Sequence, residues 1–505
     1  MHFKLRALAV ILFLCAGSLC SGQTALAERA APSGGVLSLL PPPQTTDHSI
    51  TIAGRTLQYR AKAGTLSLLS GKGDVTAEVF YVSYMLSGEA SGNNSKRPIT
   101  FVFNGGPGAA SAYLHIGAIG PRVIATAADG GFLPPPQRLI DNPDSWLDMT
   151  DLVFVDPVGT GYSREAPGQE TRNFWGVSQD ATSMGAFVRL FLTQNGRMGS
   201  PVFLAGESYG GFRAALLAKT LQEDAGVSVN GVALISPALE FMLVRPDEFD
   251  PLHWALELPS LAAVRLQSEG ITGEALSARL AEVERYAIGD YLSALAAGLE
   301  EGGRLASQRV AEITGLPLDL VRRNFARIPT SLFAKEFARA KGDILSAYDG
   351  TIATADIDPG SSRINGPDPV LDRSVPVLTS AFVGYARDEL NFRTDISYRL
   401  LNGEISRAWD YGMGSSRQGY AGVMDDLQRA RSLNPELGVL IINGYTDLVT
   451  PYMTSRYLVN QIPSLAGARP IRVAAVVGGH MMYFRPEGRR ALKEHASEIY
   501  REATE

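Results

Sequence analysis

The chain has 505 residues, 45% of them apolar, and 46 basic against 52 acidic side chains give a formal net charge of −6. A chain of this length buries a large core, and without an excess of basic residues it lacks the electrostatic footprint of a nucleic-acid binder. Only two cysteines and six histidines occur, the latter without metal-ligand spacing, so neither a disulfide framework nor a metal centre is expected, and no cofactor motif is present.

In chain order, Lys4 and Arg6 precede an apolar stretch, Ala7 to Ala16, that is too short to span a bilayer. Ala25-Leu26-Ala27 then offers a small-residue cleavage site before Glu28, so residues 1–27 read as a signal peptide. Export to the periplasm or the medium is expected, with no membrane attachment after cleavage. Loss of Lys4 and Arg6 takes the net charge from −6 to −8, and Cys15 and Cys20 leave as well. Neither cysteine follows a small residue, which disfavours a lipid anchor.

Residues 28–47 are rich in Pro and Ser and read as a flexible lead-in. From Ile50 to Leu86, short alternating runs such as Val79-Phe80-Tyr81-Val82, bounded by Gly71-Lys72-Gly73, predict antiparallel hairpins at a sheet edge. Asn93-Asn94-Ser95 has the form of a glycosylation acceptor and is read as a polar loop. Predicted strands at 99–103, 152–155, 202–205, 231–235, 439–442 and 472–477, mostly separated by helical patterns, imply a mostly parallel sheet. The gap between Ile235 and Val439 far exceeds a crossover, so it must hold an insertion. Leu276, Leu280 and Val283 fall at helical spacing within it, and residues 345–375 form an irregular Gly/Pro/Asp-rich strap. Residues 48–240 and 401–505 are therefore expected to form the core, and 241–400 a mainly helical cap over the mouth of a site.

The site is suggested by Val202-Phe203-Leu204-Ala205, an apolar strand running into Gly206-Glu207-Ser208-Tyr209-Gly210 and then a helical stretch from Phe212 to Leu221. This strand–turn–helix is a nucleophile elbow: glycines flank Ser208 where a Cβ would collide, and the hydroxyl is thrust above the sheet for acyl transfer. Such a serine needs a base and an orienting carboxylate, following it in the order acid, then histidine. His480 comes directly after the strand Val473 to Val477 on a Gly478-Gly479 turn, whereas His253 and His495 have the contexts of packing or surface residues. Asp447 follows Val439-Leu440-Ile441-Ile442 and the loop Asn443 to Thr446. Upstream, Asn104-Gly105-Gly106-Pro107-Gly108 follows another strand; opposite the elbow, the Gly106 and Tyr209 N–H groups would form an oxyanion hole.

Four blocks give the chain a resemblance to the serine carboxypeptidases of the α/β-hydrolase fold: Asn104 to Gly108, Val155 to Ser163, Gly206 to Gly211, and the pair around Asp447 and Gly479-His480-Met481. The resemblance implies an α/β fold with a mostly parallel central sheet flanked by helices. It implies Ser208, Asp447 and His480 as the triad, and Gly106 with Tyr209 as the oxyanion hole. It also implies Asn104, Gly105 and Glu207 as the site for a substrate's C-terminal carboxylate, hence peptide substrates with a free C-terminus. Ala109 stands where eukaryotic members usually have Cys, and Ile235-Ser236-Pro237 departs from the usual Gly-Asn, which points to a divergent bacterial branch. The alternatives are an esterase, acyltransferase or aminopeptidase on the same scaffold, or a secreted binding protein on an inactive one.

Overall fold

The computed structural model describes residues 35–87, 96–245, 249–412 and 421–504; the leader with Cys15 and Cys20, and Asn93-Asn94-Ser95, lie outside the described residues. Within the expected lead-in, Gly35–Leu39 form a 3-10 turn. From Gln44 the chain is already in the sheet.

β1 (Gln44–Ile52), β2 (Arg55–Leu69) and β3 (Val75–Leu86) are antiparallel hairpins at one edge. β4 (Ile99–Phe103) follows, then a separate short pair, β5 (Arg122–Ile124) with β6 (Leu139–Asp141). β7 (Asp151–Val155) is antiparallel to β3 and parallel to β4, and β8 (Arg164–Glu165) pairs briefly with β3. β9 (Val202–Glu207) and β10 (Val229–Ile235) continue the parallel array. Inside the insertion, β11 (Asp343–Leu345) and β12 (Ala353–Ala355) make a small hairpin of their own. β13 (Gly438–Gly444) and β14 (Ile471–Val476) complete the main sheet, whose order is β1-β2-β3-β7-β4-β9-β10-β13-β14. The strands from β7 to β14 in this order are all parallel, so their C-terminal ends open on one side. This is the α/β-hydrolase architecture.

The parallel strands are predominantly apolar because both faces of the sheet are covered. Val202 and Leu204 of β9 face a core shared with the helices Val177–Gln194 and Tyr209–Glu223. Phe203 and Ala205 face the opposite core, where Phe203 stacks on Tyr500 of the C-terminal helix Pro486–Thr504 with ring centroids 4.0 Å apart. Period-two alternation thus serves two cores at once.

The insertion carries a third core. The helices Pro251–Ser268, Gly273–Tyr286 and Leu299–Thr314 bury Leu261, Leu280 and Val310 against one another. Pro251 opens the first of these where its missing N–H costs nothing, and Asp250 caps it by accepting the Leu252 N–H at 2.9 Å. Leu448, from the loop after β13, joins this helical core and so couples it to the main sheet's functional edge. Further along, the helix Leu371–Asp388 packs Leu378, Phe382 and Tyr385 into the core of the main sheet instead.

Candidate active site

Ser208 sits between β9 and the helix Tyr209–Glu223 with φ 57° and ψ −123°. A non-glycine residue held there stores strain, and the tightness of the turn enforces it. A Cβ on Gly206 would lie 1.9 Å from Gly210 O, so no other residue fits that turn. The Ser208 N–H donates to Ile235 O at 3.0 Å and its carbonyl accepts the Gly211 N–H at 2.9 Å, so both sides of the elbow are pinned.

His480 follows β14 and Asp447 follows β13, and the two are buried. The imidazole Nδ1 lies 2.8 Å from Asp447 Oδ2, while Asp447 Oδ1 accepts the Val449 and Thr450 N–H groups at 2.8 and 2.9 Å. The carboxylate is thus satisfied while its other oxygen fixes the imidazole. Burial by itself lowers the proton affinity of His480, but the charge and hydrogen bond of Asp447, helped by the charge of Glu207, outweigh it and raise the pKa overall. Thr450, which sequence reasoning missed, puts Oγ1 2.7 Å from Asp447 Oδ2, 3.0 Å from His480 Nδ1 and 3.0 Å from Ser236 O. Its only signal in the sequence is its distance of three residues from Asp447.

Ser208 and His480 line one cavity of about 650 Å³ with Gly105, Gly106, Glu207 and Tyr209. Gly105 is pressed against the elbow: a Cβ there would stand 2.7 Å from the Tyr209 N and 2.8 Å from Ser208 Cβ. The glycine loop and the elbow therefore approach backbone to backbone, the arrangement that lets amides of both converge on one oxygen. Asn104 is fully buried behind this wall. Its side chain accepts the Leu114 N–H at 2.9 Å and donates to Glu207 Oε2, so it touches Glu207 and not the cavity.

Glu207 also accepts a 2.8 Å hydrogen bond from the Tyr483 hydroxyl, a second residue the sequence reading did not single out. Burial raises its pKa and the nearby Asp447 charge adds to that, against the opposing pull of His480, Tyr483 and Asn104. Burial thus shifts the balance of this carboxyl beside the nucleophile toward its protonated form, the form that can donate to an anionic group.

The helix Pro251–Ser268 supplies another wall with Trp254, Glu257 and His253, so His253 is a lining residue rather than a surface one. Its Nε2 lies 3.2 Å from Glu257 Oε1, and burial pushes the Glu257 carboxyl up to about 8. His495, on the C-terminal helix, does not line the cavity. Among the described residues no group of three or more His, Cys, Asp or Glu could hold a metal, and no helix is long and apolar enough to cross a membrane.

Residues 58–240, which contain the glycine loop and the elbow, match the family model described as serine carboxypeptidase. The chain is 29% identical over 161 residues to serine carboxypeptidase-like 45 of Arabidopsis thaliana, covering 30% of this chain and 32% of that protein. It is 31% identical over 170 residues to the pheromone-processing carboxypeptidase KEX1 of Yarrowia lipolytica, covering 32% and 26%. The chain thus spans about a third or less of the length of these relatives. Among solved structures, the KEX1 prohormone-processing carboxypeptidase of Saccharomyces cerevisiae superposes with a TM-score of 0.51 at 16% identity, over 87% of this chain and 91% of that one. That likeness concerns the fold.

Proposed function

We propose that the chain is an exported serine carboxypeptidase of a divergent bacterial branch, a reading supported by the match of residues 58–240 to the serine carboxypeptidase model and by the partial similarity to curated carboxypeptidases. The observation that carries this reading is the meeting, in one cavity, of the strained Ser208, the His480–Asp447 pair and the protonatable Glu207. His480 takes the Ser208 proton through Nε2 as Oγ attacks the scissile carbonyl carbon, and Asp447 stabilises the imidazolium. The Gly106 and Tyr209 N–H groups receive the oxyanion. The C–N bond breaks as His480 returns the proton to the leaving amine, and water then hydrolyses the acyl-enzyme by the same proton route.

Carboxylate recognition makes this an exopeptidase. Gly105 and Glu207 line the cavity, and Asn104 holds Glu207 from behind. A proton shared between Glu207 and the substrate's terminal carboxylate turns like-charge repulsion into a hydrogen bond. Residues 241–400 act in this reading as the cap that selects side chains, and residues 1–27 as the export signal, with cleavage leaving a chain free of cysteine.

The test is the direction of digestion. One peptide is compared with its C-terminally amidated and N-terminally blocked forms by mass spectrometry. Ladders shortening from the C-terminus, slowed by amidation and indifferent to N-terminal blocking, are expected. Ladders shortening from the N-terminus would establish an aminopeptidase, and turnover of esters alone an esterase.

A further inference from the structure

The loop 346–352 joins β11 to β12 and is closed by the Ser346 N–H donating to Ile352 O at 2.9 Å. It belongs to the insertion, yet it touches the loops that carry both Asp447 and His480. On the acid side, the Leu448 N–H donates to Ala347 O and the Gly350 N–H to Thr446 O, each at 3.0 Å. On the base side, the His480 N–H donates to Tyr348 O at 2.6 Å, and the Tyr348 ring stands edge-on to the imidazole with centroids 5.4 Å apart. A Cβ on Gly479 would lie 2.0 Å from Tyr348 O, so the histidine loop is built around this contact.

Asp349, at the tip, joins the two sides through one buried carboxylate. Oδ1 accepts the Thr446 hydroxyl at 2.8 Å, next to Asp447 in the chain. Oδ2 accepts from Arg485 Nη2 at 3.0 Å, in the segment that follows His480. The tip itself is braced: Asp368 accepts the Ser346 hydroxyl at 2.7 Å and the Ala347 N–H at 2.9 Å, and Ser346 Oγ accepts the Tyr348 N–H at 2.9 Å. Meanwhile the β13–β14 ladder ends near the Thr446 N–H donating to Gly478 O at 3.0 Å, just short of both reacting side chains. Beyond that point the sheet no longer sets the spacing of the two loops.

We propose that Asp349 is a positioning residue for catalysis, setting the Asp447–His480 geometry by tying Thr446 of one loop and Arg485 of the other to a single carboxylate. The proposal rests on the triad reading above. Because displacement of a reacting group by about 1 Å can cost on the order of a hundredfold in rate, a clamp on both loops has direct leverage on turnover.

The experiment begins with fluorophosphonate labelling of the full wild-type chain. Failure to label Ser208 would overturn the triad reading itself, independently of Asp349. With labelling established, kcat per labelled site, KM and the acidic limb of the pH profile are measured with an ester for Asp349→Ala, Asp349→Asn and Arg485→Ala. Asp447, Glu207 and Tyr348, the titratable groups facing His480, are unchanged in all three. Expected are a fall in kcat of about ten- to a hundredfold for Asp349→Ala, KM within about twofold, and an acidic limb moved to lower pH as His480 loses part of its hold on Asp447. Asp349→Asn keeps an acceptor for Thr446 and should fall between. A merely structural ion pair would lower the thermal midpoint and leave kcat per site and the limb at wild-type values; that result overturns the proposal. Should Asp349→Ala fail to fold, the other two variants decide by the same readouts.

Discussion

The Tyr483 hydroxyl donates a 2.8 Å hydrogen bond to Glu207 Oε1, from a position three residues after His480 to one immediately before Ser208. A side chain from the histidine loop thereby helps set the charge state of a carboxyl at the elbow. The bond favours the ionised carboxylate, opposing the burial that raises its pKa.

Tyr483→Phe should therefore raise the Glu207 pKa further. In the wild type, kcat/KM for a peptide should fall as pH rises and the proton shared by Glu207 and the substrate is lost. In Tyr483→Phe that alkaline fall should move to higher pH, and in Glu207→Gln it should flatten. A matched ester has no carboxylate to pair, so its rate should instead rise as His480, whose pKa is raised, loses its proton. Identical peptide and ester profiles in the wild type would remove Glu207 from substrate recognition.

Glu257 has a sign of its own. Its carboxyl is raised from 4.5 to about 8 by burial, so its contribution to stability is full below about pH 4.5 and is lost as pH rises through 8. Glu257→Gln does not titrate, so it should match the wild type near pH 4 and unfold at a higher temperature at pH 9. At about 1.4 kcal/mol per pKa unit the gap amounts to a few kcal/mol at most. Thermal melts of both proteins across this range check it, and parallel curves would mean that Glu257 is not buried in its neutral form.

Replacing Thr450 with Val removes the hydroxyl lying between Asp447 Oδ2, His480 Nδ1 and Ser236 O. The expected loss is about tenfold in kcat with KM little changed, corresponding to one hydrogen bond of about 1.4 kcal/mol. Steady-state kinetics normalised to labelled active sites would reveal it, and Thr450→Ser should restore most of the rate.

Gly105→Ala forces a Cβ to within 2.7 Å of the Tyr209 N and must push the glycine loop off the elbow. A fall of a hundredfold or more in kcat is expected, because an oxyanion-hole donor then moves out of reach. Labelling by fluorophosphonate, which also develops an oxyanion, should slow in parallel. Retained labelling speed would place the oxyanion donors elsewhere.

Ser208→Ala and His480→Ala should each abolish acyl-enzyme formation, and the double substitution should be scarcely slower than either, because triad members act as a unit. Additive losses in single-turnover measurements would show that the two do not cooperate.

Much of this molecule is legible in the chain alone, and for a local reason. Runs such as Ile99 to Phe103, apolar but for Thr100, and Val439 to Ile442 carry the signature of strands covered on both faces, and both are strands of the one parallel array. Ser208 declares itself through the glycines that its turn requires, and Asp447 and His480 through their place after apolar strands in a chain with few histidines. What tertiary structure alone decides is which unremarked polar residues these side chains meet. Tyr483 and Asp349 carry no local pattern and Thr450 only its nearness to Asp447, and the hydrogen bonds that give them meaning reach across 276, 97 and 30 positions. The same holds for Glu257: helical spacing places it on a face with His253, but only tertiary packing around the helix Pro251–Ser268 removes it from water and lifts its pKa. Periodicity and turn chemistry are properties of neighbours in sequence; desolvation and charge are properties of neighbours in space.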